Sequence, residues 1–168
     1  AVGSLNDDAQ TLNAGAVHIF DVNTGTATQV ITAGDGATGD QFGHAVDIDD
    51  GLLVVGARLD DDVTTNSGSA YIFDVDSGTQ LNKLSTSDPS TNGYFGYDVA
   101  IEDNNIVVGA VTEDAPLNDS GAAYQFDTSG PQIRKLIPSD SAASDLFGFT
   151  LATSAKYTAI GAVIGEGG

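Results

Sequence analysis

The residues with most chemistry to offer are acidic, and they recur in a pattern. Asp7 and Asp8 are followed by Asn13; Asp60, Asp61 and Asp62 by Asn66; Glu113 and Asp114 by Asn118 and Asp119. In each group an acidic pair is followed five residues later by Asn or Asp, and then by Gly two residues further on. Calcium takes several hard oxygen ligands from a flexible loop, and this spacing gathers such oxygens. The same side chains also cap turns, because Asp and Asn accept hydrogen bonds from nearby backbone N–H groups. Calcium is therefore the one cofactor suggested, and turn capping is the alternative.

Other chemistry finds no support in the residue types. The chain has no Cys, so it has no thiol nucleophile, thiolate metal site or disulfide framework. His18 and His44 do not recur in the other copies of the pattern; Tyr71 and Tyr124 stand at the position of His18, and Tyr97 at that of His44. No second His is placed to make a zinc site, so both rings read as packed or surface groups. Nothing resembles a nucleophile elbow. Gly34-Asp35-Gly36 lacks the Lys and the following helix of a phosphate loop. The acidic pairs sit in repeated loops, whereas catalytic sites usually break repeat symmetry; no catalytic residue and no enzyme activity are expected.

Twenty-four acidic residues against five basic ones give a formal charge of −19. Such a surface repels nucleic acid and anionic membranes. It leaves cations, basic proteins and neutral ligands such as glycans. The longest apolar run is too short to span a bilayer, and no membrane insertion is expected.

The elements that must position these loops are visible as an internal repeat. Gly68-Ser69-Ala70-Tyr71-Ile72-Phe73-Asp74 returns as Gly121-Ala122-Ala123-Tyr124-Gln125-Phe126-Asp127, and Gly15-Ala16-Val17-His18-Ile19-Phe20-Asp21 precedes both. Val54-Val55-Gly56-Ala57 returns as Val107-Val108-Gly109-Ala110 and Ala159-Ile160-Gly161-Ala162, with Ala1-Val2-Gly3 as a clipped first copy. Asp40-Gln41-Phe42-Gly43 is matched by Gly93-Tyr94-Phe95-Gly96 and Asp145-Leu146-Phe147-Gly148, and Asp35, Asp88 and Asp140 recur ahead of each Phe-Gly. The period is 53 residues, shortened by one in the turn after Asp127.

Each repeat reads as four strands. In the second copy these are Ala45 to Asp49, Leu52 to Ala57, Ala70 to Val75 and Leu81 to Leu84. The Asp49-Asp50-Gly51 turn joins the first two. The second strand is continuously apolar, as expected when both faces are covered. Tyr71, Phe73 and Val75 share one face of the third, with Ala70 and Ile72 on the other. Lys83 on the outer strand reads as a guard against edge-to-edge pairing. Twenty-one Gly without collagen periodicity agree with many tight turns. The expectation is an all-β fold of β-propeller blades, each of four antiparallel strands. Phe42, Phe95 and Phe147 read as packing residues between blades, and their Gly neighbours let backbones approach closely.

These residues resemble the FG-GAP repeat family, found in the integrin α-subunit propeller and in many bacterial surface proteins. Phe42-Gly43 with Gly56-Ala57, Phe95-Gly96 with Gly109-Ala110, and Phe147-Gly148 with Gly161-Ala162 carry the resemblance. The sequence departs from the family where Pro would follow Gly-Ala: Arg58, Val111 and Val163 stand there. The integrin-type calcium loop is not intact either, since Asp47-Ile48-Asp49-Asp50-Gly51 is too short and Leu52 replaces a final Asp.

The register places a half-blade at 1–32, whole blades at 42–85 and 95–138, and a further half-blade at 147–164. Three blade equivalents are fewer than known propellers use. The chain is therefore expected to belong to a larger ring of six or seven blades, with a two-copy ring or an open array as alternatives. Three roles remain. The first is a non-enzymatic extracellular or cell-surface module for adhesion, recognition or filament assembly, taking a protein or glycan ligand or neighbouring copies. The second is an accessory propeller of a secreted enzyme, and the third a calcium-stabilised structural module.

Overall fold

The computed structural model describes residues 1–163, and the end of the last expected half-blade, Ile164, lies outside them. Strands follow wherever apolar residues alternate or run together between Asp- and Gly-rich turns. The first sheet holds β1 (Val2–Ser4), β2 (Ala16–Phe20) and β3 (Ala27–Ile31). The second holds β4 (Phe42–Asp49), β5 (Leu52–Ala57), β6 (Ser69–Asp74) and β7 (Thr79–Leu84). The third holds β8 (Phe95–Glu102), β9 (Asn105–Ala110), β10 (Ala122–Phe126) and β11 (Gln132–Leu136), and a last hairpin holds β12 (Thr150–Thr153) and β13 (Thr158–Gly161). Among the described residues all strand pairings within a sheet are antiparallel between chain neighbours, in the order β4-β5-β6-β7 and its repeats, and isolated parallel bridges join Gly15 to Phe42, Gly68 to Phe95 and Gly121 to Phe147. In the two whole blades the first strand starts at the Phe of Phe-Gly, three residues earlier than alternation alone suggests. A bulge between Phe42 and Ala45, repeated between Phe95 and Val99, interrupts the alternation there.

Turn chemistry is local. Asp50 and Gly51 both have positive φ (41° and 80°), the pair a type I′ hairpin requires. At the other hairpin of each blade an Asp side chain caps the turn: Asp21 Oδ1 accepts from the N–H groups of Asn23 (2.8 Å) and Thr24 (2.9 Å), Asp74 Oδ1 from Ser77 (2.8 Å), and Asp127 Oδ1 from Ser129 (2.8 Å). Bonds to the Thr24 and Asn23 amides lower the Asp21 pKa. The Ser77 and Ser129 hydroxyls and amides do the same for Asp74 and Asp127.

The sheets stack face to face and meet chiefly through their first and second strands. One cluster joins Val17, Ile19 and Ile31 of the first sheet to Phe42, Leu53, Val55, Tyr71 and Phe73 of the second. Another joins Val54, Ile72 and Leu84 to Phe95, Val99, Ile101, Tyr124 and Phe126 of the third. The second and third blades thus turn their aromatic faces toward the preceding blade, and the first and second turn aliphatic faces toward the next. Phe42 lies edge-on to Tyr71 and Phe73 at 5.4 and 5.7 Å, and Phe95 repeats this against Tyr124 and Phe126 at 5.6 and 5.7 Å.

The repeated glycines make this stacking possible. A Cβ on Gly56 would overlap the carbonyl oxygen of Gly96 in the next blade, and Gly3 and Gly109 meet Gly43 and Gly148 in the same way. The facing glycines have φ of 88–95°, a region other residues rarely adopt. Phe-Gly and Gly-Ala are thus the two halves of one contact between consecutive blades. Carboxylates of the first strands add a second tie. Asp47 accepts from the Ile101 amide (2.8 Å), Asp49 from Asp103 (2.7 Å) and Asp98 from Leu151 (2.6 Å).

Candidate functional site

Both long connections of a blade leave from the same end of its sheet. The link from second to third strand and the link to the next blade lie there, while the two tight turns lie at the opposite end. The acidic groups all fall in the second-to-third-strand loops, so the fold brings them to one end of the stack.

Inside each loop the acids have distinct, repeated tasks. The backbone is closed by a Gly amide: Gly15 donates to Asp7 O (3.0 Å), Gly68 to Asp60 O (3.0 Å) and Gly121 to Glu113 O (2.9 Å). The second acid of each pair caps the residue five positions on. Asp8 Oδ1 accepts from Asn13 N (2.7 Å), Asp61 Oδ1 from Asn66 N (2.5 Å) and Asp114 Oδ1 from Asp119 N (2.9 Å). Asn13, Asn66 and Asp119 all have φ near +50°, where Asn and Asp are better tolerated than most side chains.

That left-handed residue turns the carbonyls around it toward the next blade. Asn13 O accepts from Gln41 N (3.4 Å) and Ala14 O from Phe42 N (2.8 Å). Asn66 O accepts from Tyr94 N (3.2 Å) and Ser67 O from Phe95 N (2.9 Å). Asn118 O accepts from Ser144 N (3.0 Å), Asp119 O from Leu146 N (3.3 Å) and Ser120 O from Phe147 N (2.9 Å). The acidic loop is thus a clasp that laces one blade to the Phe-Gly of the next.

The first acid of the pair meets a lysine that the sequence reads only as a guard of the sheet edge. Asp60, whose side chain is 3% exposed, accepts from Lys83 Nζ at 2.9 Å and from the Tyr71 hydroxyl at 2.8 Å. Lys83 also reaches Asp35 at 2.7 Å and Asp62. Burial works against the ammonium, but its bonds to Asp35, Asp62 and Asp60 outweigh this and raise its pKa above the ordinary lysine value. Burial and then the charge of Asp60 push the Tyr71 phenol well above its usual range.

The third blade repeats the group: Lys135 donates to Asp88 (2.8 Å) and Glu113 (3.0 Å), and Tyr124 donates to Asp88 (3.2 Å). In the first blade Val30 stands at the lysine position and His18 at the tyrosine position, with His18 Nε2 3.5 Å from Asp7. Lys83 is on an outer strand, as expected, but its ammonium is folded into this group rather than displayed along the sheet edge.

Among the described residues no three His, Cys, Asp or Glu side chains are grouped around an open point as a metal cage requires. The three carboxylates that do converge share the Lys83 ammonium. At the same end His44, Tyr97 and Phe149, at the starts of successive first strands, form a row with ring centroids 5.0 and 5.2 Å apart. His44 Nδ1 lies 2.9 Å from Tyr97 O, and burial, then the Arg58 charge, lowers its pKa. Arg58 lies 5.7 Å from the ring centroids of both Tyr94 and Tyr97. The two histidines are accordingly a packed ring and a half-exposed loop contact.

Stacked antiparallel blades, joined through Phe-Gly and Gly-Ala, define a β-propeller repeat protein. The FG-GAP repeat family model matches residues 26–73, 79–126 and 131–168, and the chain belongs to that family. FG-GAP repeats are typical of extracellular and surface proteins, and the family is generally non-catalytic. No curated protein matches the chain. Among the described residues no helix is long and apolar enough to cross a membrane.

Proposed function

We propose that the chain is a non-enzymatic propeller module of an extracellular or cell-surface protein, which recognises a protein or glycan ligand through the loop-bearing end of its blades. The observation that carries this reading is a division of labour within each loop. The polar side chains at the base are engaged in holding the blades, while one large apolar side chain at each crown faces solvent. Leu12, Val63 and Leu117 are 59%, 61% and 47% exposed, and they stand among acids that favour basic or neutral partners. Three such crowns and the nearby aromatic row give a broad surface rather than a closed pocket. That form suits a macromolecular or extended ligand better than a small substrate.

The test is a parallel screen of the purified chain against immobilised oligosaccharides and basic proteins, and against a panel of hydrolase substrates. The reading predicts saturable binding and no turnover. Turnover that tracks the purified chain would overturn it.

A further inference from the structure

The calcium suggested by the acidic loops meets an occupied position in two of the three blades. Lys83 Nζ collects oxygens from separate stretches of chain, as a divalent cation does. Asp35 comes from the connection ahead of the blade, and Asp60 and Asp62 come from the loop between second and third strands. The Tyr71 ring lies beneath the ammonium, with its centroid at 5.2 Å, and the Tyr71 hydroxyl holds Asp60. Lys135 does the same with Asp88 and Glu113, over Tyr124 at 5.2 Å.

The two groups are alternative solutions of one packing problem. Asp40, 6% exposed, lines the group of the second blade, and Gly93 stands at its position in the third. A Cβ on Gly93 would lie 2.9 Å from Glu113 Oε2. Glu113 is one methylene longer than Asp60, and its carboxylate enters the space that the Asp40 side chain fills; the Ser90 hydroxyl closes it at 2.5 Å. Acid length and neighbour size have changed together while the ammonium stayed.

We propose that Lys83 and Lys135 are the resident cations of these loops: their ammonium groups stand where a divalent ion would gather the carboxylates, so the second and third blades hold their clasps without calcium. Removing the ammonium from the second blade leaves Asp35, Asp60 and Asp62 converging on an open point and creates a divalent-cation site that the native chain does not have. The first blade, with Val30 at the lysine position, has no such internal cation.

The experiment compares thermal unfolding of the native chain and Lys83→Met in EDTA and in millimolar calcium chloride, with calcium binding measured by titration calorimetry. The native melting temperature should be the same in both buffers. Lys83→Met should melt about 5–10 °C lower in EDTA, as expected for three carboxylates left without their partner. It should recover at least half of that loss in calcium and bind calcium with measurable heat, and Lys83→Met/Asp60→Asn should not respond. Should Lys83→Met fail to fold in EDTA, it should fold when calcium is added. Lys83→Arg, which keeps the charge, should remain indifferent to calcium. A native chain stabilised by calcium, with that effect abolished by Asp60→Asn, would overturn the proposal. So would a Lys83→Met chain as stable as the native one, or one on which calcium has no effect.

Discussion

Gly56→Ala isolates the contact between Phe-Gly and Gly-Ala, because only a methyl group is added and the Gly56 backbone lies in ordinary strand conformation. The new Cβ would overlap the Gly96 carbonyl oxygen and lie 2.9 Å from its carbon and 3.2 Å from Gly96 Cα. All three are backbone atoms, so no rotamer change relieves the clash. Ordinary carbon contacts begin at about 3.5 Å, so β8 must retreat from β5 by about 0.5–1 Å. The same strand carries Phe95, Val99 and Ile101, all at most 5% exposed, and their packing loosens with it. Overpacking typically costs 1–3 kcal/mol, and the loosened packing adds to it, for a total of about 3–4 kcal/mol. Two controls separate this from generic glycine effects. Gly51→Ala meets nothing within 4 Å but sits at φ +80°, for about 1–2 kcal/mol. Gly161→Ala meets first the movable Thr150 side chain, at 2.5 Å, and should cost less than about 1 kcal/mol. Urea unfolding reads the differences as shifts in midpoint at constant slope. A Gly56→Ala cost within about 1 kcal/mol of Gly161→Ala would refute the assignment of this contact as the joint between blades.

Phe95→Ala should destabilise by about 3–5 kcal/mol, since the ring is 1% exposed and buried aromatic truncations cost that much. Phe147→Ala should cost less than half as much in the same urea assay, because that ring is only half-buried. Asp40→Asn tests a pH effect whose sign is fixed. Burial, then the charges of Asp60 and Asp62, raises the Asp40 pKa against the Ala37 amide bond and Lys83. A raised folded pKa means that ionisation costs stability. The cost grows as pH rises from the unfolded value through the folded one, and it vanishes below both. Asp40→Asn should therefore raise the melting temperature by a few degrees near neutral pH and have no effect near pH 3, as read by thermal scans across that range.

The 53-residue period was enough to find the strands, the Phe-Gly and Gly-Ala joints and the faces of the third strand, because each depends on residues close in the chain or on a repeated spacing. It was not enough to read the lysine groups. Lys83 is 48 residues from Asp35 and 23 from Asp60, and equivalence between copies says which positions correspond, not which elements face each other. A signal was present. Lys83 and Lys135 occupy the same repeat position in a chain with only five basic residues, and the blade without that lysine also lacks the tyrosine. The acid loops were legible as loops, but their oxygens bond amides of their own backbone, as seen for Asp8, Asp61 and Asp114. Local spacing describes a turn cap and a calcium loop equally well.

Recognition at the loop-bearing end is tested most directly by comparing binding by three chains of matched stability. One is native, one carries Leu12→Ser, Val63→Ser and Leu117→Ser at the crowns, and one carries Val22→Ser in a turn at the opposite end, where Val22 is 94% exposed. Against the oligosaccharides and basic proteins of the screen, the crown variant should bind at least about ten-fold more weakly, a loss of ~1.4 kcal/mol, while Val22→Ser binds as the native chain does. Equal binding by the crown variant and the native chain, or a loss confined to Val22→Ser, would contradict the account.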